Sequence, residues 1–98
     1  MAAGDVYNQG ITAVAQNNYF NIQPPVGVEI VVHNISHSTD AVLEFFDGTT
    51  GVTVDTQTNN GAWMGMFLHC TNSKYYRVKN NNASSNNICC DGVITKSV

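Results

Sequence analysis

Residues 28–36, with the sequence VEIVVHNIS, decide the fold class of this 98-residue chain. Branched aliphatic residues dominate the stretch, and such residues favour the pleated backbone of a β-strand. Successive side chains of a strand point to opposite faces, and the two sets here are Val28, Ile30 and Val32 against Val31, His33 and Ile35. Both sets are largely apolar, so we expect a central strand.

Shorter runs of the same kind lie on either side of this stretch, and asparagines separate them. The chain has thirteen asparagines against eleven charged residues. Asparagine favours turns because its side chain bonds the nearby backbone and because it tolerates a positive φ. No run has the 3.6-residue apolar period of a helix. The further strands that we predict are 11–15, 18–23, 41–46, 52–57, 63–70, 75–79 and 88–94.

This spacing of strands predicts an all-β fold, an antiparallel β-sandwich of seven or eight short strands. Jelly-roll and immunoglobulin-like topologies both fit that number of strands. Residues 1–10 have few apolar side chains, so we expect an N-terminal arm there and a single β-sandwich domain over residues 11–98. Asp47–Gly51 and Thr58–Gly61 have the composition of β-hairpin connections. Gly65 indicates a bulge or a close backbone approach inside a strand.

The charge pattern argues against two classes of partner. The net charge is −3, and the basic residues are Lys74, Arg77, Lys79 and Lys96. A nucleic-acid-binding surface needs several cations on one face, so we expect no nucleic-acid partner. Residues 1–5 lack the basic and apolar parts of a signal peptide, and no apolar run is long enough to span a bilayer. We therefore expect synthesis in a cytoplasm and no membrane partner.

The chemically reactive side chains form no recognised catalytic or metal-binding motif. The candidates are His33, His37, His69, Cys70, Cys89 and Cys90. Their spacing matches no zinc site, and neighbours such as His69 and Cys70 point to opposite faces of a strand. We expect reduced thiols and ordinary histidines. The acidic pairs, Glu44 with Asp47 and Asp40 with Asp55, are typical of surface solvation and turn capping. The sequence predicts no enzyme activity, no cofactor and no metal.

Two segments predict contact with a partner. Residues 63–68 are apolar on both faces, and clusters of aromatic and methionine side chains are typical of interface cores. A fully internal strand is the alternative. Residues 74–79 alternate cations with tyrosines, which suits an exposed sheet edge or, alternatively, a platform for sugars or single-stranded nucleic acid. The residues that we predict at a partner interface are Trp63, Met64, Met66, Tyr75, Arg77 and Lys79.

The order of these motifs resembles that of small structural proteins of tailed bacteriophages. The features that carry the resemblance are YFNIQPP at 19–25, the strand at 28–35 with HNI at 33–35, FDG at 46–48, the aromatic strand that follows, TNSKYYRVKN at 71–80 and DGVITK at 91–96. It extends over roughly residues 11–96. The Cys89-Cys90 pair and the methionine-rich segment at 63–67 depart from the common pattern.

The resemblance implies a virion component that decorates, or cements, the capsid. Such a protein binds the outer surface of the head and bridges neighbouring capsid subunits. The implied partners are the major capsid protein and further copies of the chain, in a homodimer or homotrimer. The implied location is the outer capsid surface, after synthesis in the host bacterial cytoplasm. The alternative is a tail or fibre-tip module that recognises host surface glycan through Tyr75, Tyr76 and the asparagine-rich loops. A small glycan hydrolase is a third hypothesis.

Overall fold

The structure is a computed structural model that describes residues 2–97. Over this range the regular elements are all β-strands. In chain order they are β1 (Val6–Val14), β2 (Tyr19–Asn21), β3 (Glu29–His37), β4 (Ala41–Phe46), β5 (Gly51–Gln57), β6 (Gly61–Trp63), β7 (Leu68–Cys70), β8 (Tyr75–Asn80) and β9 (Asn86–Lys96).

The strands form two antiparallel sheets, so the predicted β-sandwich is confirmed. Sheet A has the order β1-β9-β3-β6, with β7 also paired to β3, and sheet B has the order β2-β8-β4-β5. β7 pairs with Ile30–Val32 and β6 with Ile35–His37, so the two short strands share one position beside β3. The resulting order is that of an eight-stranded jelly roll rather than an immunoglobulin sandwich.

Strands that follow one another in the chain mostly belong to different sheets, as this topology requires. Among the described strands, β4 and β5 are the consecutive pair that hydrogen-bonds to each other. Their turn is the predicted hairpin: Asp47 Oδ1 accepts from the N–H of Thr49 at 2.9 Å and of Thr50 at 2.7 Å, and Gly48 has φ +96°. The second hairpin, predicted at Thr58–Gly61, is wrong because β5 and β6 belong to different sheets.

The N-terminal segment is part of the sandwich, which corrects the predicted arm. Met1 lies outside the described residues, but β1 already begins at Val6 and pairs with β9 as far as Val14. The backbone N–H of Gly4 donates to Ile94 O at 2.7 Å, and Ile94 N–H donates to Asp5 O at 2.9 Å. Backbone pairing needs no apolar side chains, and for this reason the polar composition of residues 1–10 gave no indication of the strand.

The core lies between the sheets and contains buried side chains from both. It includes Ile30, Val32 and Ile35 of β3 together with Leu43 and Val78 of sheet B. We predicted Ile35 on the face opposite Ile30 and Val32. A β-bulge corrects this, because the register of β3 against β9 shifts between Val32 and Asn34 and returns Ile35 to the core face.

Two other expectations fail at the edge formed by β5 and β6. The alternation of the predicted strand 52–57 places Val52 and Val54 on its inward face, but these side chains are 60% and 48% exposed. The short strands of sheet A leave this part of β5 partly uncovered, and a register shift in the β4–β5 pair falls at Val54. The predicted strand 63–70 is two three-residue strands, β6 and β7, joined by a loop in which Gly65 has φ +64°. A bend there, rather than a bulge within one strand, explains the glycine.

Candidate interaction surface

The three histidines lie in three different environments. Within residues 2–97 no group of three His, Cys, Asp or Glu side chains is placed to bind a metal ion. His69 is exposed on β7, and His33 is half-buried at the bulge of β3. His37 is 4% exposed at the end of β3.

His37 closes the open edge between the two sheets. Its Nδ1 lies 2.7 Å from Thr39 O and its Nε2 lies 2.6 Å from Gln57 Oε1, so both ring nitrogens face acceptor oxygens. The Trp63 ring packs against the imidazole at 5.0 Å between centroids. Trp63 Nε1 donates to Asp55 Oδ2 at 2.8 Å. These contacts connect β3 and β6 of sheet A to β5 of sheet B, which is a structural role.

The thiols do not form a nucleophile with a neighbouring base. The three cysteines are free. Burial raises the pKa of Cys70 to about 11 and that of Cys90 to about 12. A thiol is nucleophilic as its thiolate, so neither side chain is activated. His69 lies on the face of β7 opposite to Cys70, as strand alternation requires.

The acidic side chains stabilise turns and neighbouring side chains. The N–H groups of Thr50 and Thr49 hold the pKa of Asp47 below its usual value. Asp40 accepts from the N–H of Asn59 at 2.6 Å and from Asn82 Nδ2 at 3.2 Å, and these bonds lower its pKa. Such hydrogen bonds favour the ionised carboxylate and leave it a poor proton donor.

The outer face of sheet B carries a stacked arginine. The Arg77 guanidinium lies 3.8 Å from the centroid of Tyr19 and 4.0 Å from that of Phe46. Its Nε donates to Glu44 Oε1 at 3.0 Å. Gly51 leaves room for this pair, because a Cβ at that position would lie 2.8 Å from Glu44 Oε1 and 2.9 Å from an Arg77 nitrogen. The functional groups of Arg77 are therefore occupied inside the molecule.

The other residues predicted at an interface are divided between core and surface. Trp63 is 5% exposed and Tyr75 is 7% exposed, so both are core residues. Met66 is partly buried against the core, and Lys79 is half-buried. Met64 is 67% exposed. The predicted set therefore does not form one continuous surface.

The outer face of sheet A presents an apolar row instead. The register places four residues side by side across β1, β9, β3 and β7: Val6, Val93, Val31 and His69. Val6 is 76% exposed, while Val93 and Val31 are half-buried by their neighbours. We call this set the valine row. Branched aliphatic neighbours across strands stabilise a sheet, but their outward surfaces remain open to a partner.

The β6–β7 loop holds a phenylalanine near the same face. Phe67 is 82% exposed, and its ring packs edge-on against His33 at 5.3 Å. Met66 N–H donates to His33 O at 2.8 Å, and His33 Nδ1 lies 2.9 Å from Met66 O. Gly65 N–H donates to Asn34 Oδ1 at 3.1 Å. Because these bonds fix the loop to the bulge of β3, Phe67 is held in a defined position although it is exposed.

Charge is distributed unequally between the two outer faces. Arg77 and Lys79 lie on β8 of sheet B, and Lys74 comes just before that strand. On sheet A, Lys96 is at the margin, where its Nζ lies 3.7 Å from Glu29 Oε2. Asp91 accepts from Asn34 Nδ2 at 2.8 Å. Low charge with exposed aromatic and aliphatic groups is typical of interface cores. The valine row and Phe67 therefore form the candidate interaction surface.

The sequence analysis does not predict this surface, because the surface depends on the register of strand pairing. Val6, Val31 and Val93 are far apart in the chain, and strand pairing alone brings them together. Phe67 belongs to the apolar segment 63–68, but the residues predicted at the interface are its neighbours Trp63, Met64 and Met66. Gly65 is the signal that points to Phe67, because a bend at that position removes the following residues from a regular strand.

A surface cleft lies at one end of the sandwich, between the β2–β3 and β7–β8 connections. Its volume is about 330 Å³, and its lining residues are Val26, Gly27, Val28, Glu29, Thr71, Asn72 and Ser73. The side-chain amide of Asn72 already has a partner within the protein, because its Nδ2 donates to Pro24 O at 3.1 Å. The single charged residue of the lining, Glu29, pairs with Lys96. The cleft therefore lacks the convergent polar groups of a substrate site.

A scan against protein-family models and a search of the curated proteins each found no match. In residues 2–97 there is no helix long and apolar enough to cross a membrane.

Proposed function

We propose that this chain is a structural protein of a tailed-phage virion that decorates the capsid. It binds the outer surface of the head, contacts the major capsid protein and strengthens the contacts between neighbouring capsid subunits. The motif order from residue 19 to residue 96 supports the virion assignment by resemblance. The jelly-roll sandwich supports it as well, because this architecture is common among capsid domains.

The observation that carries the proposal is the difference between the two outer faces. On sheet B, charged and aromatic side chains contact one another, because Arg77 stacks between Tyr19 and Phe46. Sheet A presents the valine row and the positioned Phe67. A protein that lies flat on a lattice needs one face for the lattice and one for solvent. We assign sheet A to the capsid and sheet B to the outside.

The dimensions suit this mode of binding. The principal extents are 39 × 26 × 20 Å, so the broad side offers an area of roughly 1,000 Å². A standard protein interface buries about 800 Å² on each partner. One face of the sandwich is therefore large enough for a specific contact. In a closed shell, symmetry repeats that contact at every equivalent site.

The tail or fibre-tip alternative has less support. It requires Tyr75 and Tyr76 as a platform for sugar rings, but Tyr75 is 7% exposed and packs on Phe46 at 5.7 Å between centroids. Tyr76 packs on Phe45 at 5.1 Å and is partly buried against the core. Neither ring presents an open face of the kind that stacks on a ligand.

The deciding experiment is the copy number of the chain in purified virions, measured by quantitative mass spectrometry against the major capsid protein. We expect between about one-third and one copy per capsid subunit, because a lattice repeats every site. A ratio near one-hundredth would instead assign the chain to the tail or portal. Absence from the particle would overturn the virion assignment as a whole.

The docking face can be tested with a matched pair of variants. Phe67→Asp places a charge on the candidate interaction surface at a position that is 82% exposed, so the fold tolerates it. We expect occupancy of undecorated heads to fall at least about tenfold, since a central aromatic anchor commonly contributes more than 1.4 kcal/mol. The control is Val54→Asp on sheet B, which is 48% exposed and should bind as wild type. Equal loss in both variants would refute sheet A as the docking face.

A further inference from the structure

Among the described strands, β1 forms an edge of sheet A that is long and uncharged and that pairs with no strand on its outer side. β1 has nine residues from Val6 to Val14 and is the first strand in the order of its sheet. Its sequence, VYNQGITAV, contains no charged residue and no proline. An edge of this kind presents free backbone N–H and C=O groups that can pair with another strand.

The other edges of the sandwich are protected in recognised ways. β5 carries Asp55. β2 has three residues, and Pro24-Pro25 follows it closely. β6 and β7 have three residues each. Charges, prolines and short strands all reduce pairing between sheet edges. Charges, prolines and a short length are therefore all missing from the nine residues of β1, whose edge is interrupted by a β-bulge at Gly10 and Ile11.

The side chains of β1 also indicate a missing neighbour. Val6 and Ile11 are each 76% exposed. Ile11 lies in a bulge, because Gln9 pairs with Cys90 and Thr12 with Ile88, which leaves Gly10 and Ile11 opposite Cys89 alone. Burial of branched aliphatic side chains is favourable, so two such side chains exposed on one edge favour a contact that covers them. A partner strand would cover them.

We propose that β1 pairs antiparallel with β1 of a second copy across a two-fold axis that passes beside Gly10. Residues Tyr7–Gln9 of one copy then face Thr12–Val14 of the other, Gly10 faces Ile11, and the two Ile11 side chains lie close to the axis. An isologous contact of this type needs a surface that matches itself. The chain has a net charge of −3, yet β1 contributes none of it, so two copies meet along this edge without like-charge repulsion.

The size of this side of the molecule is adequate for a dimer. β1 alone extends about 30 Å over its nine residues, and the sides of the molecule that include its 39 Å axis have areas of at least roughly 800 Å². A standard interface requires about the same area on each partner. The pairing would join the two copies of sheet A into one continuous sheet, with the two valine rows on the same face. The inference goes beyond the decoration role, and it is tested on the isolated protein, so either proposal can fail without the other.

Sedimentation velocity of the purified chain between about 1 and 100 μM tests the dimer. We expect wild type to sediment as a dimer at the upper concentrations. Ile11→Lys should raise the dissociation constant at least about 100-fold, because it removes an apolar contact and brings two cations together at the axis. The matched control is Val52→Lys, which adds the same charge at a 60% exposed position on the edge strand β5. It should dimerise as wild type.

Hydrogen exchange identifies the pairing itself. Amides of β1 should gain protection as the concentration rises, while amides of β5 should not, because the new bonds use the backbone of β1 alone. If Ile11→Lys fails to fold, Ala13→Lys at another exposed position of β1 replaces it. A monomer at 100 μM, dimerisation of the β1 variants at wild-type strength, or unchanged exchange along β1 would each overturn the proposal.

Discussion

At the scale of single residues, asparagine has two structural roles in this protein, one in turns and one as a buried hydrogen-bonding side chain. Asn17 and Asn59 adopt positive φ values of 65° and 63°, which is the backbone role that the sequence predicts for turns. Asn80 and Asn86 are fully buried instead, and their amides hold loops together. Asn80 Nδ2 donates to Val14 O and to Ser84 O, each at 2.8 Å. The buried amides satisfy backbone groups that the sheets leave unpaired.

Asn86→Ala should destabilise the fold strongly. The Asn86 side chain accepts from the N–H groups of Ser38 and Thr39 and donates to the carbonyls of Thr39 and Asp40. Leaving such buried groups unpaired costs about 2–4 kcal/mol in total. Urea denaturation measures the loss. Asn87→Ala, at the exposed neighbouring position, should stay within about 0.5 kcal/mol of wild type. Equal effects would show that the Asn86 bonds contribute nothing.

Two substitutions of Arg77 should distinguish the contribution of its charge to stability from the contribution of its stacking on aromatic rings. Arg77→Met removes both ring contacts and the pair with Glu44, so we expect a loss of about 1–3 kcal/mol in the free energy of unfolding. Arg77→Lys keeps the charge but not the planar group, and should recover only part of the loss. Full recovery by lysine would mean that the Tyr19 and Phe46 contacts do not stabilise the fold.

At the scale of elements, the β3–β9 pair is the centre of sheet A and depends on one glycine. A Cβ on Gly92 would overlap the carbonyl oxygen of Val31 and lie 2.8 Å from Val32 Cα. The close approach occurs beside the β3 bulge, where the two backbones come together. Glycine is required there because the obstructing atoms are backbone and cannot move aside independently.

Gly92→Ala should therefore cost about 3 kcal/mol or more, as overpacking against backbone does. The matched control is Gly10→Ala on β1, where nothing lies within 4 Å of the added Cβ. We expect that variant to remain within about 1 kcal/mol of wild type. Thermal unfolding followed by circular dichroism compares the two. A stable Gly92→Ala protein would contradict the close approach of β3 and β9.

The adjacent cysteines on β9 offer a chemical test of strand orientation. Cys90 faces the core with a raised pKa, as does Cys70, whereas Cys89 is half-buried on the opposite face. At pH 8 both core thiols stay protonated, because that pH lies well below about 11 and 12.

Iodoacetamide should therefore modify one thiol rapidly in the native protein and three after denaturation, as counted by mass spectrometry. Cys89→Ser should abolish the rapid reaction. Rapid modification of Cys90 would show that the face assignment of β9 is inverted.

At the scale of the whole molecule, the jelly-roll topology pairs strands that lie far apart along the chain. β1 pairs with β9 and β3 with β9, so sheet A joins the two ends of the described chain. Within the described chain, the β4–β5 hairpin is the local pairing of consecutive strands. Chain entropy must therefore be lost before most of the contacts form.

Folding should be slow for a 98-residue protein. We expect refolding on a scale of about 10 milliseconds to seconds, as for other β-sandwiches with non-local pairing. Stopped-flow tryptophan fluorescence can follow it, because Trp63 is buried between the sheets in the native state. Complete refolding within microseconds would be inconsistent with this topology.

The local pattern of the chain was sufficient to predict the all-β class, the central position of β3 and the Asp47–Gly51 hairpin. Each of these depends on the side-chain period of a strand or on the conformation of a short turn, and both are properties of neighbouring residues. Tertiary structure alone decided which strands pair, that β1 begins at Val6 rather than near Ile11, and that Ile35 returns to the core. It also brought Val6, Val31 and Val93 into one row. Register, bulges and sheet membership depend on residues distant in the chain, and no local pattern encodes them.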